Sequence, residues 1–333
     1  MQDDIVLSVR HLTTQFDTRA GALTAVSDLS FDVRRGECLG IVGESGSGKS
    51  VASLSIMGLV DYPGKVTGGE IVFQGRDIRR LNARELRALR GSKLSMIFQD
   101  PLTSLNPLFT IGRQMTDVVR AHRRCSSAEA RALALEKLRL VGMSDPESRL
   151  DAYPWELSGG LRQRVSIAMA LLLEPDLVIA DEPTTALDVS IQAQIIELLR
   201  SLKSQIGFSM IFISHDLGLV STIADRVLVM YAGRAVEEGD TESIFARPGH
   251  PYTEALLASA PTLASQVDQD LPTIEGSLPQ PGDHLPGCVF APRCPYAKSR
   301  CWESLPTLDT AATGSTRRIA CLYPRAELEG GLP

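Results

Sequence analysis

The sequence predicts a mixed α/β domain followed by a small, loop-rich C-terminal extension, and three observations carry that expectation. Short β-branched runs alternate with helical patterns through most of the 333 residues. A glycine-rich stretch, IVGESGSGKS (Ile41–Ser50), joins a strand-like run to a helix-like one. Near residue 247 the texture changes, and RPGHPY followed by LPTIEGSLPQPGDHLPG concentrates the Pro and Gly that break regular structure. The length exceeds that of a usual single domain. The boundary is therefore placed between 1–246 and 247–333, with no internal repeat on either side.

Taken in order, IVLSVRHL, LSFDV, ECLGIVG, GEIVFQG and KLSMIFQ read as strands, and LVIADEP, SMIFISHD and DRVLVMYAG follow in the second half. Helical spacing of apolar residues appears over Lys49 to Val60, Ile111 to Val141, the segment after Ser158, and from Ser190 through SIQAQIIELLRSLKSQ. Ser126 with Glu129 forms a helix-start pattern inside the second of these.

Composition removes several function classes. A net charge of −6 counts against a nucleic-acid-binding surface. The longest uncharged apolar run, VSIAMALLL (Val165 to Leu173), falls far short of the roughly 20 residues that span a bilayer. The start, MQDDIVLSVRHL, has acidic residues where a secretory signal carries basic ones. These features predict a cytoplasmic chain, in which structural disulfides are not expected.

The glycine-rich stretch fits G-x-x-x-x-G-K-[ST] in the strand-to-helix context that gives the pattern meaning. Gly43, Gly46 and Gly48 let successive backbone N–H groups face one phosphate chain, and the helix start adds partial positive charge. The nucleotide-binding set is Gly43, Glu44, Ser45, Gly46, Ser47, Gly48, Lys49, Ser50 and Val51. Lys49 reaches the β- and γ-phosphates, and the Ser50 hydroxyl ligands Mg²⁺. A nucleoside triphosphate is therefore the expected ligand. LVIADEP ends an apolar strand in two acids, which suits Asp181 to the metal's water shell and Glu182 to an attacking water.

LSGGLRQR (Leu157 to Arg164) resembles the signature motif of ABC-type ATPases, and the other motifs then occur in that family's order over Ile5 to Gly239. The resemblance implies an ABC-type P-loop ATPase fold, a mixed sheet core with a helical subdomain near residues 100–160. It assigns Phe16 to adenine stacking, Gln99 in MIFQDP to the Q-loop and Mg²⁺, TALD with Asp188 to the D-loop, and His215 in FISHD to the γ-phosphate. Leu161 departs from the glutamine many members carry, but Ser158, Gly159 and Gly160 are the phosphate-facing part. In this family two ATPase domains pack head to tail, each ATP lying between one phosphate loop and the other subunit's Ser-Gly-Gly helix start.

FQDPLTSLNPLFTIGRQ (Phe98 to Gln114) and HPYTEALLASAP (His250 to Pro261) resemble the oligopeptide/dipeptide importer branch. The first is the region that receives a coupling helix from a membrane subunit. The resemblance implies a peripheral subunit at the cytoplasmic face of the inner membrane, hydrolysing ATP to power import of di- or oligopeptides or similar solutes. Its partners would be two permease subunits, a homologous ATPase subunit as heterodimer more than homodimer, and indirectly an extracytoplasmic solute-binding protein. Peptides, glutathione, nickel chelates and peptide antibiotics remain open as cargo. The alternative is a soluble ABC ATPase not coupled to transport.

Cys288, Cys294, Cys301 and Cys321 have the spacing C-x5-C-x6-C-x19-C in a segment too Pro-rich to build much core unaided. Thiolates suit zinc or an iron–sulfur cluster, and the spacing lacks the C-x2-C pairs typical of zinc, so chemistry alone leaves the metal open. The stretch GCVFAPRCPYAKSRCWESLPTL resembles the C-terminal domain of oligopeptide/dipeptide importer ATPases, which implies a [4Fe-4S] cluster on these four cysteines, with Zn²⁺ the alternative. Arg317 and Arg318 in STRRIAC stand where that group often has a histidine. Cys38, in the strand before the phosphate loop, reads as a small buried hydrophobe.

Overall fold

A computed structural model describes residues 4–19, 21–185, 187–259, 273–279, 285–310 and 317–325. Ala186 of TALD, parts of LPTIEGSLPQPGDHLPG and the last residues of HPYTEALLASAP lie outside the described residues. In chain order the elements are β1 (Ile5–Thr18), β2 (Gly21–Arg34), β3 (Cys38–Val42), α1 (Lys49–Met57), β4 (Gly64–Phe73), β5 (Arg76–Asp77), α2 (Ala83–Leu89) and β6 (Leu94–Ile97). The helical stretch α3 (Pro101–Ser104), α4 (Ile111–His122), α5 (Ser127–Leu140), α6 (Pro146–Asp151) and α7 (Gly159–Ala170) follows. Then come β7 (Leu177–Asp181), α8 (Val189–Ile206), β8 (Ser209–Ser214), α9 (Leu217–Ile223), β9 (Arg226–Tyr231), β10 (Arg234–Asp240), α10 (Thr241–Ala246) and α11 (Pro251–Ala258). The chain closes with α12 (Ser299–Glu303), β11 (Asp309–Thr310) and β12 (Arg318–Ile319).

These elements gather into two units built from separated segments. One holds the described residues of Met1–Leu7, Val33–Glu37 and Phe73–Ile213; the other holds those of Ser8–Asp32, Cys38–Val72 and Ser214–Pro333.

In the first unit β6, β7 and β8 pair in parallel, with Leu94 opposite Leu177 and Leu177 opposite Ser209. Every residue of these three strands is buried, which explains why they read as continuous apolar runs and not as alternating ones. Helices α4 to α7 pack on one another beside them. The helical pattern expected over Ile111 to Val141 is divided at Arg123–Ser126, because a second start signal interrupts it. The Ser126 hydroxyl accepts from Glu129 N–H while the Glu129 carboxylate accepts from Ser126 N–H, a reciprocal capping box that begins α5 afresh.

In the second unit β3 runs parallel to β9, with Leu39–Val42 opposite Arg226–Val229. β10 is antiparallel to β9, and β12 is antiparallel to both β10 and β11. The short strands β10, β11 and β12 carried no sequence pattern long enough to announce them. β10 holds two fully buried carboxylates, Glu237 and Glu238, a costly arrangement unless each is paired. Arg317 binds Glu237, with Nε 2.7 Å from Oε1, while Arg226 and Arg318 both bind Glu238. The two arginines of STRRIAC thus clip β12 onto the unit. Cys38 is fully buried in β3. Among the described residues no helix is long and apolar enough to cross a membrane.

Candidate functional site: a phosphate loop, a carboxylate strand end and a cysteine module

The phosphate loop belongs to the second unit and connects β3 to α1. Its glycines are there for geometric reasons. Gly43 has φ 154°, and a Cβ on it would stand 2.2 Å from Met230 O; Gly48 has φ 96°, and a Cβ there would stand 2.5 Å from Ala25 O. No L side chain fits either position without moving backbone. Gly48, which has no side chain to cap with, leads the nine-residue helix α1. Lys49, only 4% exposed, folds back so that Nζ donates to Gly43 O at 2.8 Å and Glu44 O at 2.9 Å. An ammonium held by carbonyl oxygens at the loop's mouth is positioned to exchange them for phosphate oxygens. Phe16, half-buried on β1, packs against Gly64, where a Cβ would fall 2.5 Å from its ring. His215 is exposed between β8 and α9, beside Asp216, whose carboxylate caps α9 by accepting from Leu219 N–H at 3.1 Å.

The carboxylate strand end belongs to the first unit. Asp181 closes β7 and is buried, and Glu182 follows, 8% exposed. Glu182 takes the left-handed backbone conformation with φ 45°, which costs a non-glycine residue about 1–3 kcal/mol and persists where surrounding contacts impose it. Its N–H donates to Ile213 O at 3.0 Å. Its Oε2 accepts from Gln99 Nε2 and from the Thr185 hydroxyl, each at 2.9 Å. Two donors on one oxygen fix the orientation of the carboxylate. The structure therefore brings Gln99, Glu182 and Thr185 together. Gln99 and Glu182 were expected site residues; Thr185 was legible only as part of TALD, and its bond to Glu182 was not.

The same unit carries the signature helix. Ser158 caps α7, its hydroxyl accepting from Leu161 N–H at 3.4 Å, and Ser158 and Gly159 are exposed. Asp188 stands at the N-cap position of α8 without a side-chain capping bond and is exposed, followed by Val189 at 81% exposure.

The cysteine module belongs to the second unit. All six cysteines are free thiols. Cys288, Cys294, Cys301 and Cys321 line one cavity of about 20 Å³ together with His250, Tyr296 and Tyr323. Cys288 N–H donates to Cys301 O at 2.8 Å, and Cys294 follows a 3-10 turn over Ala291–Arg293. Burial raises the pKa of the Cys288 and Cys294 thiols and pushes that of Cys321 up to about 12. His250 is fully buried and neutral, its pKa lowered to about 3 by burial, with Nδ1 accepting from Tyr252 N–H at 3.0 Å. Among the described residues, no three His, Cys, Asp or Glu side chains are grouped as a single metal ion requires. The four thiols share one cavity lining, and that shared lining is what the structure shows of them.

A glycine-led phosphate loop opening a helix, an apolar parallel strand ending in Asp-Glu, and a Ser-Gly-Gly helix start define an ATP-hydrolysing cassette of the P-loop class. A family profile described as "ABC transporter" matches residues 26–185, and one described as "Oligopeptide/dipeptide transporter, C-terminal region" matches residues 236–301. A probable peptide ABC transporter ATP-binding protein of Sinorhizobium fredii is 50% identical over 312 residues, covering 93% of each chain. The dipeptide transport ATP-binding protein DppD of Escherichia coli is 48% identical, covering 96% of this chain and 97% of that one. The oligopeptide transport ATP-binding protein AppD of Bacillus subtilis is also 48% identical, over 94% and 95%. Among solved structures, the dimeric ATP-binding cassette MJ0796 bound to ADP and phosphate aligns with a TM-score of 0.64 at 28% identity, over 71% of this chain and 98% of that one. The chain belongs to the ABC transporter ATP-binding family, in the branch that carries the oligopeptide/dipeptide transporter C-terminal region.

Proposed function

We propose that this chain is the subunit that hydrolyses ATP to drive import of di- or oligopeptides, or similar solutes, from the cytoplasmic face of the inner membrane. The observation that carries the reading is a complete phosphate loop, with Lys49 folded at its mouth and Gly48 leading α1, in a chain about half identical to peptide-transport ATP-binding proteins over nearly its full length. Lys49 and the loop N–H groups of Gly43 to Val51 hold the β- and γ-phosphates, and Phe16 stacks on the adenine. Ser50, Gln99 and Asp181 would hold Mg²⁺, which supplies charge compensation on the phosphates. Glu182 takes a proton from the attacking water, and His215 contacts the γ-phosphate.

Ser158, Gly159, Gly160 and Asp188 serve the nucleotide of a second ATPase subunit. Their support is the family order of motifs and the exposure of Ser158, Gly159 and Asp188. A sister subunit in a heterodimer is favoured over a second copy. Two permease subunits are the membrane partners, and an extracytoplasmic binding protein delivers cargo to them. Exposed Phe98, Leu102, Leu108 and Phe109 in FQDPLTSLNPLFTIGRQ support docking of a permease helix at that segment. Residues 247–333 form the branch-specific extension, and Cys288, Cys294, Cys301 and Cys321 would hold a [4Fe-4S] cluster that cross-links it, with Zn²⁺ the alternative.

The test is co-expression with the neighbouring membrane subunits and reconstitution into vesicles. Copurification with the permeases and ATP-dependent uptake of a labelled peptide are expected. Hydrolysis by a chain that binds no membrane subunit would replace this reading with that of a soluble ABC ATPase.

A further inference from the structure

The phosphate loop is held from outside by the C-terminal extension, and Glu44 is the residue held. Its backbone N–H donates to Tyr252 Oη at 2.9 Å. Its carbonyl accepts from Ser47 N–H at 3.1 Å and from Lys49 Nζ at 2.9 Å. Its carboxylate meets Arg293 Nη1, 3.2 Å from Oε1 and 3.1 Å from Oε2.

The grip of Arg293 reaches past this one ion pair. Nη1 also donates to Tyr231 Oη at 3.3 Å, Nη2 donates to Ile274 O at 3.0 Å, and Nε donates to Glu275 O at 2.9 Å. The Arg293 side chain is 5% exposed and that of Glu44 27%, so the pair is largely shielded from solvent screening. On the same side, Leu278 Cδ1 lies 3.4 Å from where a Cβ on Gly46 would stand. Arg293 also ends the turn that separates Cys288 from Cys294, with its N–H bonded to Phe290 O at 3.0 Å. One side chain therefore ties the cysteine module, the 274–275 backbone and the loop's second residue into a single network.

We infer that Arg293 and Tyr252 are positioning residues for the ATP reaction. They fix Glu44, preset the curl of the phosphate loop, and so make nucleotide affinity depend on the folding of the cysteine module. The inference rests on the reading that this loop takes ATP. A loop already curled loses less conformational freedom on closing around a triphosphate. Releasing Glu44 puts that ordering back into the binding step, while the reacting groups are untouched. The expected signature is a change in affinity with little change in turnover at saturation.

The experiment is a titration of the full chain with a fluorescent ATP analogue and Mg²⁺, accompanied by steady-state kinetics and a thermal melt, on Arg293→Ala, Arg293→Lys, Glu44→Gln and the Ala/Gln double variant. Arg293→Ala is expected to weaken binding and raise KM about tenfold, the middle of the usual range for coupled sites, with kcat at saturation within about threefold of the parent. Arg293→Lys recovers part of the loss, since an ammonium pairs with Glu44 but lacks the fork that spans both carbonyls. The double variant binds no worse than the weaker single one, because the two side chains act as a pair. Lys49→Ala is run alongside. If it binds as tightly as the parent, the ATP reading of the loop fails and the inference with it. If it loses binding while the folded Arg293→Ala and Glu44→Gln variants bind as the parent does, the inference alone is overturned. A lowered melting temperature with unchanged affinity would likewise reduce Arg293 to a structural tie.

Discussion

Glu182, the proposed base, has a left-handed backbone, and its Oε2 is fixed by Gln99 and Thr185. A carboxylate held this way keeps its orientation, which a general base needs before any water arrives. The phosphate loop makes the complementary case. Its residues are contiguous, so the pattern was legible from Gly43 to Ser50 without any fold. Gln99 and Glu182 lie 83 positions apart, and only the folded chain shows that they touch. Gly48→Ala is expected to abolish ATP binding, because the added methyl at φ 96° meets Ala25 O and the loop must open to admit it. The strain should also lower stability by about 1–3 kcal/mol. Isothermal titration with MgATP and a denaturant melt would read both effects.

At the scale of elements, the strands with continuous apolar runs and the helices with clear caps were legible, because burial on both faces and capping boxes leave strong local marks. The short strands β10, β11 and β12 were not. Their pairing depends on buried Glu237 and Glu238 meeting arginines that arrive some 80 positions later in the chain. The attachment of the extension was equally hidden. Tyr231 of β9, Tyr252 of α11 and Phe290 of the cysteine module form an aromatic cluster with centroid separations of 4.7, 5.2 and 5.4 Å. All three rings are buried. Phe290→Ala is expected to cost about 3–5 kcal/mol, as large aromatic truncations in packed cores do. Chemical denaturation of the full chain checks this, and a loss below about 1 kcal/mol would show that the cluster does not anchor the module.

At the scale of the whole molecule, the family and its ATP chemistry were legible because the motifs occur in a fixed order, whereas the role of the four cysteines in the extension was not. The spacing C-x5-C-x6-C-x19-C fits more than one metal, and the fold adds only that the four thiols line one cavity. The cluster proposed for these cysteines predicts about four irons and matching sulfide per chain in anaerobically purified protein. Under the same proposal, removing the iron is expected to loosen the extension first, since metal binding at a loop-rich site of this kind is folding free energy. A single zinc per chain, or intact protein without metal, would leave the ATPase in place and refute the cluster.

The central claim, that this chain hydrolyses ATP with Glu182 as the base, is tested most directly by one comparison of Glu182→Gln with the parent. The account predicts MgATP affinity within about threefold of the parent and turnover lower by about a hundredfold or more, the usual share of a general base. Near-normal turnover in that variant would contradict it.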